Sequence, residues 1–275
     1  MLPSTLFPTP PDSGTLPALA PDPGTLLRAG SVPYLNAAPL VRGIEHRLRL
    51  APPSDLAVSL RLGELDAALL SVTEALLHPG YDILDGPCVA SDGEVHSVFL
   101  AHRQPLDCIQ TVFCHTASLT SVNLLRVLLA ERGLRPALRP LPEPDRAPDH
   151  DAALLIGDPA IAFRHLHPDL PVWDLGLAWQ QLTGLPFVYA VWVLRRDADT
   201  TSLRAELQSA ALRGQRELDL IIESAPERDA AFRRRYLTRH TRHHLGAREK
   251  AGLARFADYL RRHQPHPVFP PHYVP

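Results

Sequence analysis

The order of the apolar segments constrains the fold of this chain more than any other feature of its sequence. From Leu26 onward, short apolar runs of strand length alternate with segments of helical periodicity, which is typical of an α/β protein. Residues 67–71 and 152–156 are predicted to be buried strands that lead directly into helices. With 275 residues, 45% of them hydrophobic, the chain can bury a large core without disulfides or a structural metal.

The segments form two successive α/β sets, a return strand and a C-terminal tail. The second set begins at Thr111, and the proline-rich stretch 136–148 is predicted to be a linker or a rigid surface loop. Residues 202–263 are predicted to be helical throughout. This order predicts two lobes joined by two crossings, at residues 94–102 and 187–194.

We expect residues 28–98 and 190–275 to form lobe 1, and residues 99–189 to form lobe 2. A cleft between two such lobes is the default ligand site. Residues 1–27 lie outside both lobes and contain no Lys, Arg or Cys. Prolines stand in this segment at positions 3, 8, 10, 11, 17, 21 and 23. They exclude the unbroken apolar run of a secretory signal, so we expect a disordered or loosely packed leader.

Composition excludes several classes of protein. The cysteines, Cys88, Cys108 and Cys114, are odd in number and lack a CxxC spacing, which argues against a disulfide framework or a zinc site. Reduced thiols are typical of the cytoplasm. The net charge of −2 gives no overall attraction to nucleic acid or to an anionic membrane. No stretch reaches the roughly 18 apolar residues of a membrane span, so we expect a soluble cytoplasmic protein.

Two patterns near the C-terminus suggest other functions more weakly. His240 and His244 would share one helical face, with His243 beside them, as a zinc site prefers. No carboxylate accompanies them in sequence, and Gly246 interrupts the helical pattern. A run of arginines could contact nucleic acid, but a solvated helix face explains it better; the run comprises Arg233, Arg234, Arg235, Arg239 and Arg242. We therefore expect neither a metal, nor a cofactor, nor a nucleic-acid partner.

Polar residues follow predicted strands at several points where α/β proteins bind ligands. Asn36 follows the first strand, at the edge of the sheet where ligand contacts are expected, although it could simply cap the next helix. Ser97 follows an Asp92-Gly93 turn, which is also the pattern of an ordinary hairpin. Asp158 precedes a predicted helix and would cap it.

A group of hydroxyls precedes the long apolar helix predicted at residues 119–132. Ser118, Thr120 and Ser121 would lie beside the free N–H groups and the positive dipole end of that helix. Such a cradle binds a carboxylate or a phosphate. Ordinary N-capping is the alternative, but a cap requires a single hydroxyl.

The order of these segments and their amino-acid sequences, taken together, indicate a protein family more specifically than any one segment does. The chain resembles the chorismate dehydratase family of the futalosine route to menaquinone, and the resemblance spans residues 30 to about 259. The matching segments are VPYLNAAPL, GELDAALLSV, SDGEVHSVFL, ASLTSVNLL, LLIGDPA, WDLGLAWQQLTGLPFVYAVW and HHLGAREKAGLARF. The first and the TGLPFVYAVW part are the specific ones. His78 and Pro79 depart from the family pattern outside these motifs.

The resemblance implies an α/β, two-lobed fold of the type II periplasmic-binding-protein kind, with the substrate cleft between the lobes. It implies a hydro-lyase that converts chorismate to 3-[(1-carboxyvinyl)oxy]benzoate and water without a cofactor. We expect chorismate as the small-molecule partner and a homodimer as the assembly. By motif, the residues that would face the substrate are Asn36, Ser71, Ser97, Thr120 and Ser121, with Asp158 as a weaker assignment. Of these, Asn36 is the expected catalytic residue.

The implied reaction suits a site made of neutral hydrogen-bond donors. Chorismate is a dianion, and loss of one proton and the neighbouring hydroxyl makes its ring aromatic, so the reaction needs no redox group. An amide is a poor base, so we expect Asn36 to orient the substrate and stabilise developing charge, while a substrate carboxylate takes the proton. The alternatives are the related 1,4-dihydroxy-6-naphthoate synthase and a non-catalytic solute-binding protein, because fold alone does not decide function.

Overall fold

The computed structural model describes residues 27–117, 119–224 and 229–275. Within them the chain forms two β-sheets with helices packed against both. The predicted leader, apart from Leu27, and the predicted ligand residue Ser118 lie outside the described residues. In the described ranges, no helix combines the length and apolar character that a membrane crossing requires.

The first sheet contains strands from both ends of the chain. Its strand order is β11-β4-β10-β3-β1-β2, and β12 also pairs with β4. Parallel pairing joins β1 to β2 and β3, whereas β10 is antiparallel to both β3 and β4. The strands are β1 (Ala29–Ser31), β2 (Arg49–Leu50), β3 (Ala67–Ser71), β4 (Tyr81–Ser91), β10 (Phe187–Arg195), β11 (Arg242–His244) and β12 (Tyr273–Val274).

The second sheet is built from the middle of the chain, in the order β7-β6-β8-β5-β9. Parallel pairing joins β6 to β7 and β8, while β5 is antiparallel to β8 and β9. The strands are β5 (Val98–His102), β6 (Thr111–His115), β7 (Ala137–Leu141), β8 (Ala152–Ile156) and β9 (Val172–Asp174). The lobe boundaries stay a prediction, although β10 pairs with the first sheet from Phe187 onward, three residues before the expected boundary at 190.

The helices cover both sheets and connect them. Helix α3 contacts α2 and α9, which pack with the first sheet, and α5, which follows the second. The helices are α1 (Pro53–Arg61), α2 (Val72–Leu77), α3 (Leu119–Glu131), α4 (Gly157–Leu166), α5 (Leu175–Thr183), α6 (Thr201–Arg216), α7 (Leu218–Glu223), α8 (Ala230–Arg235) and α9 (Ala247–His263).

One apolar core continues from one sheet to the other, because residues of β1, β3, β6 and α3 belong to the same buried cluster. Trp179, Trp192 and Phe256 are completely buried in it. The predicted apolar stripe of the last helix is confirmed, since Leu253, Phe256 and Leu260 are all buried. Burying an aromatic side chain of this size stabilises the fold by about 3 kcal/mol.

Two predictions about secondary structure are wrong. The stretch 136–148 is not a bare loop, because Ala137–Leu141 forms β7 beside β6. Its prolines are tolerated because β7 is at the edge of the sheet, where a missing N–H breaks no ladder. The tail is not helical throughout, because Arg242–His244 forms β11 against β4. Three polar side chains in a row gave no strand signal; pairing with β4 supplies the strand.

A close approach of two backbones positions the segment that contains Asn36. In α6, a Cβ atom on Gly214 would lie 1.9 Å from the carbonyl oxygen of Pro39, closer than any real contact. Pro39 belongs to the 3₁₀ segment Leu35–Leu40. Glycine at position 214 therefore allows α6 to pack directly on the backbone that presents Asn36.

Gly214→Ala should destabilise the protein by about 1–3 kcal/mol, because the added methyl forces α6 away from the Pro39 carbonyl. The better helix propensity of alanine, about 1 kcal/mol, offsets part of the loss. Gly80→Ala is the matched control, since a Cβ there meets nothing within 4 Å. Urea denaturation measures both variants; equal midpoints for Gly214→Ala and the wild type would contradict the close approach.

Candidate active site

The segment after β1 presents Asn36 between the two sheets. The 3₁₀ segment Leu35–Leu40 is preceded by Tyr34 at the cap position, so Asn36 lies inside the helical turn and does not cap it. The side-chain amide of Asn36 is half-buried and makes no hydrogen bond within the described part of the chain. An accessible amide with unused donors and acceptor is available to a ligand.

Tyr34 reaches across from this segment to the second sheet. Its ring lies over Gly157, whose Cβ position is 3.5 Å from the ring carbons, and Gly157 has a φ of +64°. Burial, assisted by the negative charge of Asp158, raises the pKa of Tyr34 to about 12. The phenol therefore stays neutral. The contact brings the segment after β1 against the start of α4.

A cluster of hydroxyls joins the two sheets on another side. Ser71 ends β3, Thr73 lies in the first turn of α2, and Thr120 lies in the first turn of α3. Thr73 donates to the Thr120 oxygen Oγ1 from its backbone N–H at 3.2 Å and from its hydroxyl at 3.1 Å. The hydroxyls of Ser71 and Thr120 are also hydrogen-bonded to each other.

The hydrogen-bond count of this cluster identifies its outward donor. A hydroxyl oxygen has two acceptor sites and one proton. Thr73 occupies both acceptor sites of Thr120, so the Thr120 proton is donated to Ser71. The proton of Ser71 is then left for another acceptor. Because Thr120 is buried and Ser71 is half-buried, we infer that Ser71 presents the donor that a ligand in the cleft would meet.

The other predicted residues differ in accessibility. Ser97 is completely buried and its hydroxyl accepts from Tyr236 at 2.8 Å. Ser121 is buried within the first turn of α3. Asp158 is half-buried in the first turn of α4, and the N-cap position belongs to Ile156. The structure thus hydrogen-bonds Ser71 to Thr120, places Asp158 where its charge acts on Tyr34, and encloses the Ser97 hydroxyl.

His243 fixes the backbone of the Asn36 segment. Its Nε2 lies 3.0 Å from the carbonyl oxygen of Asn36, which can only accept, so Nε2 carries the proton and donates it. The surrounding protein desolvates the ring and lowers the pKa of His243 to about 4. The imidazole is therefore neutral near pH 7 and serves as a positioning donor.

The Asp174 carboxylate organises the crossing between the sheets. It caps α5 by accepting from the Leu177 N–H at 3.0 Å. It also accepts from the backbone N–H groups of Val95, at 3.1 Å, and His96, at 2.9 Å. These N–H groups are thereby removed from strand pairing, and β5 begins only at Val98.

The histidine and arginine patterns of the C-terminal region are broken up by the fold. His240 ends a π-helical turn and His244 lies in β11, so they do not share a helical face. The arginine run is not a uniform solvated face, because Arg233 is buried and its Nε donates to the Ile222 carbonyl oxygen. Arg234 pairs with Asp219.

Several functional side chains escaped the sequence analysis. Tyr34 could have been noticed, because it lies two residues before Asn36 in the same motif. Thr73 follows Ser71 in the same way. The sequence did not indicate that Tyr236 bonds Ser97 or that His243 bonds Asn36. These partners are more than 130 residues apart along the chain and meet only through folding.

The sequence matches a family model described as menaquinone biosynthesis over residues 27–262. A chorismate dehydratase of Thermus thermophilus is 34% identical over 255 residues, which cover 82% of this chain and 92% of that protein.

Two solved structures are also similar. One is a protein of Archaeoglobus fulgidus, with a TM-score of 0.67 at 16% identity over 86% of this chain and 97% of the other. The second is the alkanesulfonate-binding protein of Xanthomonas axonopodis pv. citri bound to MOPS, with a TM-score of 0.64 at 17% identity over 91% and 99% of the two chains. The fold is accordingly the two-lobed α/β fold of periplasmic solute-binding proteins.

Acidification should destabilise the protein through His243. The unfolded chain binds a proton on this ring near pH 6.5, whereas the folded protein does so only near pH 4. At pH values between these two, the unfolded state binds more protons than the folded state. The contribution of His243 to the free energy of unfolding is therefore fully present above pH 6.5 and decreases toward pH 4, by roughly 3 kcal/mol at most. His243→Gln keeps a donor for Asn36 but cannot titrate.

Urea denaturation from pH 7.5 down to pH 4 measures this contribution. The variant should unfold near the wild-type midpoint at pH 7.5 and lose less stability than the wild type at lower pH. Parallel curves for the two proteins would show that His243 is not desolvated in the folded state.

Proposed function

Because the chain belongs to the menaquinone biosynthesis family, we propose that it is a chorismate dehydratase, a hydro-lyase that forms 3-[(1-carboxyvinyl)oxy]benzoate and water. We place this reaction at the start of the futalosine route to menaquinone. The observation in the structure that supports the proposal is the half-buried side-chain amide of Asn36, which makes no hydrogen bond within the described residues, on a segment whose backbone carbonyl accepts from His243.

The substrate chemistry matches these donors. Chorismate carries two carboxylates, which neutral donors and helix N-termini bind without a counter-ion. The first turn of α3 lies beside Ser71, so the positive dipole end of this helix and the outward Ser71 hydroxyl suit one carboxylate. We assign the Asn36 amide to the part of the ring where bonds change.

The reaction is a syn or anti loss of water from adjacent carbons. A proton leaves the carbon that bears the enolpyruvyl ether, its electron pair forms a ring double bond, and the neighbouring hydroxyl leaves with a proton as water. Aromatisation drives the step. An amide N–H stabilises the negative charge that develops as the proton departs, which is the role of an oxyanion donor. Asn36 performs that role, and a carboxylate of the substrate accepts the proton.

Placement in the cell follows from the cysteines. Cys88 and Cys114 are buried free thiols, and Cys108 is a free thiol on the surface. An exposed unpaired thiol is typical of a reducing compartment, so the cytoplasm is the proposed location. A homodimer is the proposed assembly.

Asn36→Ala and Ser71→Ala should fail in different ways. Loss of the Asn36 amide removes stabilisation that is needed only as charge develops, so kcat should fall about 100-fold or more. Loss of the Ser71 hydroxyl removes a contact to a carboxylate that exists before reaction. Such a bond contributes about 1.5–3 kcal/mol, so KM should rise roughly 10- to 150-fold with kcat little changed.

Steady-state kinetics with chorismate, followed by the absorbance of the aromatic product, measure both constants. Asn123→Ala is the matched control, because Asn123 is the other asparagine of the chain and its amide donates within α3 to the Leu119 carbonyl oxygen. Thermal melting establishes that each variant is folded. A folded Asn36→Ala protein with normal kcat would remove the assigned role.

Asp158 tests the identity of the proton acceptor, because its negative charge acts on Tyr34 in the same motif as Asn36. Loss of a protein general base costs about 100- to 10,000-fold in rate. If the substrate accepts the proton, Asp158→Asn should change kcat less than tenfold. Any decrease of kcat at low pH (the acid limb) should then be the same in the variant and in the wild type. A collapse of kcat in the folded variant, with loss of such a limb, would make Asp158 the base.

A further inference from the structure

Three side chains with metal-binding atoms meet at the crossing between the sheets. Glu94 and His96 lie on the crossing segment between β4 and β5, and His240 ends the π-helical turn before β11. One nitrogen from each histidine and one carboxylate oxygen all lie within 4.8 Å of one another. None of the three belongs to the hydroxyl cluster or to the Asn36 segment.

The spacing is close to that of a zinc site. Bonds of about 2.0–2.1 Å in a tetrahedron place neighbouring donor atoms about 3.4 Å apart. The Nε2 atom of His96 is 3.2 Å from the Oε2 atom of Glu94. The ring centroids of His96 and His240 are 4.0 Å apart, at an interplanar angle of 68°. A shift of side chains by about 1 Å would bring the three donors to a common ion.

The hydrogen bonding of His240 leaves one of its nitrogens free for a metal. Its Nδ1 lies 3.1 Å from the carbonyl oxygen of Glu94. A carbonyl only accepts, so Nδ1 carries the proton and Nε2 keeps an unshared electron pair. A metal-binding histidine characteristically donates its second nitrogen to a carbonyl or a carboxylate in this way.

The backbone holds His96 in place beforehand. Its φ of +62° is in the left-handed region that residues other than glycine rarely adopt. The Asp174 carboxylate holds this conformation by accepting the His96 N–H at 2.9 Å. The side chain is thereby directed at His240 in a backbone conformation that is energetically unfavourable for a residue with a Cβ atom.

The surrounding charges limit the affinity but do not prevent binding. Burial, then the neighbouring His240 and Arg164, lower the pKa of His96, while Glu94 and Asp174 oppose the shift. The ring is consequently neutral near pH 7 and can bind a metal. Glu94 supplies one negative charge, Asp174 a second one nearby, and Arg164 a single opposing positive charge.

We propose that Glu94, His96 and His240 bind a transition-metal dication such as Zn²⁺ and that the bound ion ties the crossing to the C-terminal segment. Two imidazoles and one carboxylate suit Zn²⁺, Co²⁺ or Ni²⁺ better than Mg²⁺ or Ca²⁺. The sequence pattern indicated only one of these three ligands, His240. Folding brings Glu94 and His96 to it and separates His240 from His244. Tyr236, four residues before His240, already bonds Ser97, so the ion would strengthen an existing connection.

Metal titration of the tag-free, chelator-treated protein tests the proposal independently of any activity. Calorimetry with Zn²⁺ should give one ion per chain. Co²⁺ should produce the visible absorption of a tetrahedral site, and Zn²⁺ should abolish it by competition. Glu94→Gln and His240→Ala should each weaken binding at least about 100-fold, because each removes a ligand. Glu94 is exposed, so its substitution leaves the core intact.

His263→Ala is the matched control, because His263 also contacts a carboxylate, Glu131, but lies at the end of α9. It should bind Zn²⁺ as the wild type does. The proposal is overturned if the wild type binds no Zn²⁺, if Glu94→Gln and His240→Ala keep the wild-type affinity, or if His263→Ala loses binding to the same extent as they do.

Discussion

The arrangement of the two sheets depends most directly on the hydrogen bonds that the Asp174 carboxylate accepts. It is buried at the end of β9, starts α5, and accepts from the backbone of Val95 and His96 in the crossing segment. Hydrogen bonds to a charged acceptor contribute about 1.5–3 kcal/mol each. One side chain therefore fixes a helix, ends strand pairing before β5 and sets the path by which the chain passes from the first sheet to the second.

The site follows from the way this frame brings strand ends together. Ser71 and the Asn36 segment follow strands of the first sheet, while Thr120 and Asp158 follow strands of the second. In α/β proteins the ends of parallel strands are where ligands bind. Apart from Asp158, these polar groups are an amide and hydroxyls, which suit a substrate that brings its own carboxylates.

The sequence was informative where local patterns decide the structure. The predicted strands 67–71 and 152–156 agree with β3 and β8 residue for residue, because continuous apolar runs with turn signals mark buried strands. Residues 242–244 became a strand only through pairing with β4, which no local propensity encodes. Motif wording indicated Asn36 as the catalytic residue. Which hydroxyl donates to which depends on contacts between segments that are distant along the chain, so only the structure shows it.

The central claim, that this chain dehydrates chorismate, is tested most directly by identifying what becomes of the substrate. The purified protein is incubated with chorismate alone, and the mixture is analysed by absorbance and mass spectrometry over time. The account predicts conversion to 3-[(1-carboxyvinyl)oxy]benzoate, with loss of one water per molecule and many turnovers per chain. Chorismate that binds the protein and is recovered unchanged would contradict it and would leave a solute-binding protein.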